Sequence, residues 1–532
     1  MFALSSSDQI DLAYRMADRL VHASPSLREL VSAREIRQIL SYQPALECEY
    51  TYLCDRQVQS LFQKNEALDL GVDTEAVAFG KWKEAQAACR NTNALFRNRL
   101  GFNWTPFASV SFERARRIIR RVLGTAPRFD QLDLSFGPGS TTSVKKKNAS
   151  PTTKMASGLY CSERLLCSGL LPSLLREIPH WTAALSPNYF IDDEGWLCEL
   201  NEVRIVPGRM TFVAKNWKTK RTICSEPTLN SLAQQGVRKW MECRMARFGL
   251  QISDQTVNQR LARQGSIDGS ISTIDLSSAS DTISIELVRY LFPSDWFFLL
   301  DSIRTGTVEY KGETIDLEMY ASMGNATTFP VETLIFYALA RAVSSPDDTV
   351  TAYGDDLCVG TSCSNDVIAI LECAGFLVNR EKSFTHGPFR ESCGKDYLRG
   401  VMVRPVYMKK GDILSLYALR NQLLDDFPEI ASVVLDAIPR WARFYGPRRL
   451  SHAVLWSDSY IATRCSKTQS YAIECLTSEP ITRKNFYPGD WVSPLYSVYT
   501  RASALGSCVG KDGIPTYVTP GGTVVRTKLY IS

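Results

Sequence analysis

The chain has 532 residues, an ordinary share of hydrophobic, charged, Gly and Pro residues and a net charge of +5. It can therefore bury a large core, and it is neither a disordered nor a low-complexity protein. Its fifteen Cys form no Cys-x-x-Cys pair and only four His accompany them, which argues against structural zinc or a disulfide framework and for reduced thiols in a cytosolic protein.

The first twenty residues carry acids where a secretory leader would need an apolar core, so they are not read as a signal peptide. Residues 1 to about 125 are charge-rich and helical in pattern, most clearly over 73–90, and they end in the basic run Arg114-Ala115-Arg116-Arg117 with Arg120-Arg121. Gly137-Pro138-Gly139-Ser140 marks a loop that leads into Lys145-Lys146-Lys147 and Lys154. Short Val-, Ile-, Phe- and Thr-rich runs over 199–213 read as strands. They are followed by the basic turn Lys215-Asn216-Trp217-Lys218-Thr219-Lys220-Arg221, and Thr222-Ile223-Cys224 resumes the strand pattern. A helix is expected over 232–248, with Arg238, Lys239, Arg244 and Arg247 on its polar side. Any one of these patches could be a solvated face, but several brought together would suit a polyphosphate backbone.

Next, 271–276 reads as an apolar strand ending in Asp275, and 281–287 as the start of a helix with an acidic first turn. Gly324 interrupts a loop before a helix over 331–343, whose apolar segment around 334–343 is interrupted by Arg341 and too short to span a membrane. A strand then leads to Tyr353, with its hairpin partner after Leu357. A helix over 365–373, short strands and turns over 387–397 and 400–407, helical pattern beyond about 411, and an aromatic-rich tail with a hairpin around Pro520-Gly521-Gly522 complete the chain. No internal repeat or linker divides it, so one body with a long periphery is the simplest organisation.

Tyr353-Gly354-Asp355-Asp356 puts two adjacent carboxylates on a tight turn between apolar runs, which suits Mg²⁺ bound beside substrate phosphates. Asp275 closes another strand about eighty residues earlier. Neighbouring strands would crowd these acids, and a multivalent cation is what makes such crowding favourable at neutral pH. Two Mg²⁺ ions about 4 Å apart would activate a 3′-hydroxyl and stabilise a pyrophosphate leaving group, with Mn²⁺ a candidate substitute. Any single Asp could instead cap a turn. Lys215, Lys218, Lys220 and Arg221 could neutralise a triphosphate, and Arg221 is the strongest candidate because its fork holds two oxygens at once. A reverse transcriptase would carry a similar Asp pair after Tyr. A non-enzymatic RNA-binding assembly subunit would explain the lysines but not the clustered acids.

Several ordered blocks carry a family resemblance: Asp254-Gln255-Thr256-Val257-Asn258-Gln259-Arg260, Thr273 through Asp281, Ser322-Met323-Gly324-Asn325, Tyr353-Gly354-Asp355-Asp356 and Gly387 through Gly394. The chain resembles the RNA-directed RNA polymerases that are the replicase catalytic (beta) subunits of small positive-strand RNA bacteriophages, the leviviruses. The likeness is close over 210–405 and weaker through 70–78 and 136–139.

The resemblance implies a mixed α/β (α+β) right-hand polymerase with fingers, palm and thumb, its antiparallel palm sheet flanked by helices. Residues 1–265 would form the N-terminal region and fingers, including a basic nucleotide-entrance segment over 210–227. Residues 266–400 would form the palm with a fingers insertion at about 290–320, and 401–532 the thumb and C-terminal region. Asp275, the Leu276 carbonyl, Asp355 and Asp356 would surround the metals. Ser322, Gly324 and Asn325 would sit beside the incoming nucleotide, with Asn325 recognising the ribose 2′-hydroxyl. Five residues separate Asp275 from Asp281, against the usual viral four, which leaves open whether Ser280 or Asp281 meets the sugar. Lys382 resembles the lysine that protonates pyrophosphate, and Arg380 could substitute geometrically. The family further implies template and product RNA, ribonucleoside triphosphates, host elongation factors Tu and Ts, ribosomal protein S1 and a host RNA-binding factor as partners. It places the protein in the cytoplasm of the infected bacterium, with no membrane attachment.

Overall fold

The structure, a computed structural model, describes residues 2–97, 104–185, 203–464, 470–478 and 524–531. It is mixed α/β, and the Asp-bearing turn lies on a three-stranded antiparallel sheet ordered Ile271–Ile274, Asp356–Gly360, Val350–Tyr353. All four residues of the outer strand Ile271–Ile274 are buried, its free edge being covered by a bridge from Thr273 to Phe384. Helix Thr328–Val343 is apolar nearly all round, from Val331 and Leu334 to Leu339 and Ala342. It is accordingly sunk in the main core with Leu357, Val359 and the inner face of helix Pro106–Leu123.

A second sheet is ordered Thr219–Ser225, Gly208–Asn216, Thr307–Tyr310, Glu313–Asp316. Its two hairpins join through a parallel pairing, Gly208 with Val308 and Arg209 with Glu309, so the basic turn and a segment nearly one hundred residues later form one surface. Helix Thr74–Arg97 lays Trp82 and Cys89 against this sheet, with Met210, Cys224, Val308 and Met319.

Helices Ser6–Asp18, Pro25–Ser32 and Glu49–Gln63 share a separate core with helices Ile413–Leu423 and Pro428–Ala437, built around Leu12, Met16, Val58, Leu61, Leu416 and Ile430. Among the described residues, no helix is long and apolar enough to cross a membrane.

Several boundaries differ from the sequence pattern for local reasons. The strand expected over 271–276 ends at Ile274, leaving Asp275 just past its end. The helix expected from 281 begins at Ile285, because Ser284 takes extended geometry and caps it by accepting from the Leu287 N–H; Ser280–Thr282 is a separate 3₁₀ turn. The helix expected over 232–248 runs Thr228–Ala246. Residues 199–202 and the hairpin expected around 520–522 lie outside the described residues.

Candidate active site

Tyr353 pairs with Asp356, so Gly354 and Asp355 form a two-residue hairpin loop. Gly354 has φ 60°, and a Cβ there would meet the Phe329 ring at 2.6 Å, so the turn accepts only glycine in this packing. The Gly354 N–H donates to Thr333 Oγ1 at 2.9 Å, tying the loop to the buried helix behind it. Ile274 pairs with Leu357 on the adjacent strand, which brings Asp275 to the end of the sheet that carries Asp355 and Asp356.

Asp275, Asp355 and Asp356 interact electrostatically, and burial is the largest influence on each. It pushes the Asp275 carboxyl up to about 6, opposed chiefly by Lys382 and reinforced by Asp355. It pushes Asp356 up to about 7, with Asp355 and then Asp275 and Glu391 adding to the rise. Asp355 is also raised, but Lys382, Lys215 and Arg221 all favour its charge. Adjacent residues at the start of a strand diverge: Asp355 answers to the cations, whereas Asp356 receives the Cys393 N–H and, more loosely at 3.5 Å, the Ser392 hydroxyl.

Asp275 sits in a cradle made by 379–383. Asn379 Nδ2 donates to Asp275 Oδ2 at 2.9 Å, the Asn379 N–H donates to the Asp275 carbonyl at 2.9 Å, and Ser383 Oγ accepts the Asp275 N–H at 3.1 Å. Leu276, buried beside it, bridges to Val378. Lys382 follows in the same segment and is exposed, whereas Arg380 is drawn back by an ion pair with Glu372 at 2.5 Å.

The basic hairpin divides its charges. Val213 pairs with Arg221 and Ala214 with Lys220, but the register then slips to Asn216 with Thr219, so Lys215 is the extra residue of a bulge. A bulge bends the strand and re-aims a side chain. Lys215 is exposed as a residue, yet its ammonium lies where burial, then Arg221 and Lys382, lower its pKa while Asp275 opposes them. Successive strand residues point to opposite faces. Lys220 thus turns away from Arg221 and pairs with Glu75 at 3.3 Å, while Lys218 stands at the tip with its ammonium over Trp217.

The loop over 322–325 docks on the end of strand Thr219–Ser225. The Cys224 N–H donates to the Met323 carbonyl at 2.8 Å, and Gly324, at φ 129°, lies so close that a Cβ would meet the Cys224 carbonyl oxygen at 2.1 Å. Ser322 is buried with its hydroxyl accepting from Trp82 Nε1 at 3.1 Å. Asn325 is 5% exposed. The Met323 N–H donates to the Asp281 carboxylate, whose Oδ1 is buried without a partner and whose pKa is pushed by burial to about 7, with Lys215 opposing. Ser280 makes no side-chain hydrogen bond among the described residues.

The family described as RNA replicase, beta-chain, matches this chain over residues 20–461. The chain belongs to that family. The RNA-directed RNA polymerase subunit beta of Enterobacteria phage SP is 34% identical over 406 residues, which cover 74% of this chain and 65% of that protein. That of Escherichia virus Qbeta is 34% identical over 396 residues, covering 73% and 62%. The chain thus spans a little under two thirds of the length of these relatives. A crystal structure of the RNA-dependent RNA polymerase of a human picorbirnavirus overlaps 78% of this chain and 87% of that one at 12% identity and a TM-score of 0.39, too low to bear on function.

In this replicase-family chain no three His, Cys, Asp or Glu side chains among the described residues converge closely enough to hold an ion as they stand. The donor set nonetheless fits a hard divalent cation. It is oxygen-only, and burial together with mutual repulsion disfavours the charged forms of Asp275, Asp355 and Asp356, a penalty that a cation reverses. Sequence reasoning missed Asn379 and Ser383, which fix Asp275. It also missed Glu332, a buried carboxyl behind the turn raised by burial and by Asp355 and Asp281, and Glu226, which holds Asn325. Of these, Glu226 lies within the basic segment 210–227, and Asn379 and Ser383 flank Arg380 and Lys382, so their neighbourhoods were recognised but not their roles; Glu332 carries no local signal.

Proposed function

We propose that this chain copies RNA into RNA, joining ribonucleoside triphosphates to a growing 3′-hydroxyl. One observation carries the reading: Asp275 and Asp355 end neighbouring strands under a cluster of Lys215, Arg221 and Lys382. Carboxylates alone would repel a triphosphate, and cations alone would not activate a hydroxyl; together they suit in-line phosphoryl transfer.

Asp275 and Asp355 would hold divalent cations, two Mg²⁺ or Mn²⁺ in place of Mg²⁺, with the Leu276 carbonyl and Asp356 more peripheral. Bound metal supplies charge neutralisation at the α-phosphate and a more acidic 3′-hydroxyl. Lys215 and Arg221 hold the β- and γ-phosphates, with Lys218 and Lys220 at the outer margin of the same hairpin. Lys382 is placed to donate a proton to pyrophosphate, since Arg380 is engaged by Glu372. Asp281 meets the ribose rather than Ser280, because its orphaned Oδ1 lacks a partner beside the 322–325 loop. Gly324 permits the close docking of that loop, Ser322 braces it from behind, and Asn325 reads the 2′-hydroxyl.

In this reading the three-stranded sheet and its helices are the palm over 266–400. The basic sheet belongs to fingers drawn from 1–265 and an insertion at about 290–320, and 401–532 forms the thumb and C-terminal region. Host elongation factors Tu and Ts, ribosomal protein S1 and an RNA-binding host factor would complete the replicase in the bacterial cytoplasm. The test is elongation of a primed or self-priming RNA by the purified chain, with and without bacterial elongation factors, comparing ribonucleotides with deoxyribonucleotides. Metal-dependent ribonucleotide incorporation is expected. Faster deoxyribonucleotide incorporation would indicate a reverse transcriptase, and none at all an RNA-binding assembly subunit.

A further inference from the structure

Glu226 follows strand Thr219–Ser225 directly, five residues after Arg221, and is buried. Both of its carboxylate oxygens face donors. Oε1 accepts from Asn325 Nδ2 at 3.1 Å and Oε2 from the Thr305 N–H at 3.2 Å, and the Gln234 side chain also bonds to it. At the other end of the Asn325 amide, Oδ1 accepts the Thr327 N–H at 2.8 Å and the Thr327 hydroxyl at 2.7 Å. The Thr327 hydroxyl is also in hydrogen-bond contact with the Tyr320 hydroxyl at 2.6 Å.

These contacts fix the amide's orientation. With Oδ1 saturated by Thr327, Nδ2 must face Glu226, and just one of its two N–H groups remains for a ligand. The same strand end also binds the preceding loop residues through the Cys224 N–H and by the close approach of Gly324. The hairpin that carries Arg221 and the loop that carries Asn325 are therefore joined residue for residue, 224 to 323–324 and 226 to 325.

We propose that Glu226 is a positioning residue for sugar selection: it aims the remaining Asn325 N–H at the ribose and locks that aim to the phosphate-holding hairpin. The proposal rests on the polymerase reading of Asn325. Glu226 touches no reacting atom; it acts through the Asn325 amide. A glutamine at 226 cannot serve as a plain replacement, because its own NH₂ would have to face either Asn325 Nδ2 or the Thr305 N–H, and one contact would turn repulsive.

The test measures kcat/KM for each ribonucleotide and its deoxy counterpart in the elongation reaction, for the unsubstituted chain and for Glu226→Gln, Asn325→Ala and the double variant. Thermal melting of each is recorded. Loss of one oriented hydrogen bond should cut ribose-over-deoxyribose discrimination about tenfold in Glu226→Gln, mainly through KM for ribonucleotides. That loss should vanish in the Asn325→Ala background, because Glu226 then has nothing to aim. Should Glu226→Gln fail to fold, Glu226→Asp, which keeps both acceptors but withdraws them by a methylene, is expected to give the same loss of discrimination. Unchanged discrimination in a folded Glu226 variant, or effects of the two single variants that simply multiply, would overturn the inference while leaving the polymerase reading intact. Failure of the unsubstituted chain to incorporate ribonucleotides would overturn both.

Discussion

Asn379 holds Asp275 twice, its side-chain amide on the carboxylate and its backbone N–H on the carbonyl, both at 2.9 Å. The carboxylate is therefore aimed by a segment a hundred residues downstream. Asn379→Ala should slow single-turnover nucleotide incorporation by about tenfold, the scale of one hydrogen bond to a charged group. RNA affinity should be unchanged, as checked by filter binding in parallel. Equal rates would mean that packing alone orients Asp275.

Asp355→Asn should reduce incorporation by at least about a hundredfold, as expected for loss of a group that organises charge at the reacting centre. In metal-free buffer at pH 8 the same variant should melt higher than the unsubstituted chain, because it relieves repulsion among buried carboxylates. Calorimetry and quenched-flow incorporation test the two halves; a lower melting temperature would contradict the electrostatic account.

The lysines of the hairpin should not behave alike. Lys215→Ala and Arg221→Ala are expected to raise KM for triphosphates about tenfold or more, as loss of a charge-assisted phosphate contact implies. Lys220→Ala should alter KM little, because its ammonium is committed to Glu75 in a half-exposed pair worth less than about 1 kcal/mol. Steady-state kinetics with one limiting nucleotide would separate them.

Stability should depend on pH in a definite direction. Burial raises the folded-state pKa of Asp275 and Asp396 to about 6, and of Glu226, Asp281 and Asp356 to about 7, from ordinary values of 3.8 for Asp and 4.5 for Glu. In that window the folded chain binds more protons than the unfolded one, so stability falls as pH rises from about 4 to about 7 and stays low above it. Glu226 alone would account for about 3 kcal/mol. Metal-free melting temperatures from pH 5 to 8 should decline, and added Mg²⁺ at pH 8 should restore part of the loss. A flat profile would show that the carboxyls titrate normally.

Gly324→Ala should be poorly tolerated, since the methyl carbon would fall 2.1 Å from the Cys224 carbonyl at a φ of 129°. A penalty of about 2–3 kcal/mol is expected from the strained backbone and the clash together. Urea unfolding of the variant measures it directly.

The Asp-bearing turn and the basic hairpin were legible because each is a local pattern, a few residues of one chemistry between apolar runs. The division of labour within them was not. Lys215, Lys218 and Lys220 look equivalent in sequence, and only strand alternation and the bulge at Lys215 separate them. Ser322 looks like an open polar side chain until Trp82, 240 positions away, takes its hydroxyl. Glu226 and Asn379 are ordinary residues whose importance depends on which distant segment lies opposite. The helix expected from 281 failed because Ser284 competes as a cap, a contest that periodicity does not register.

The core shared by the first helices and by Ile413–Leu423 and Pro428–Ala437 has a consequence for biosynthesis. Helix Glu49–Gln63 leaves the ribosome about 350 residues ahead of the partners that cover its apolar side, an interval of roughly 20–70 s at bacterial translation speed. During that time the newborn N-terminal segment carries bare Leu, Val and Phe faces that invite chaperones or self-association. Codon changes that slow translation between 63 and 413 would therefore lower the yield of soluble protein without altering a single residue of the candidate site.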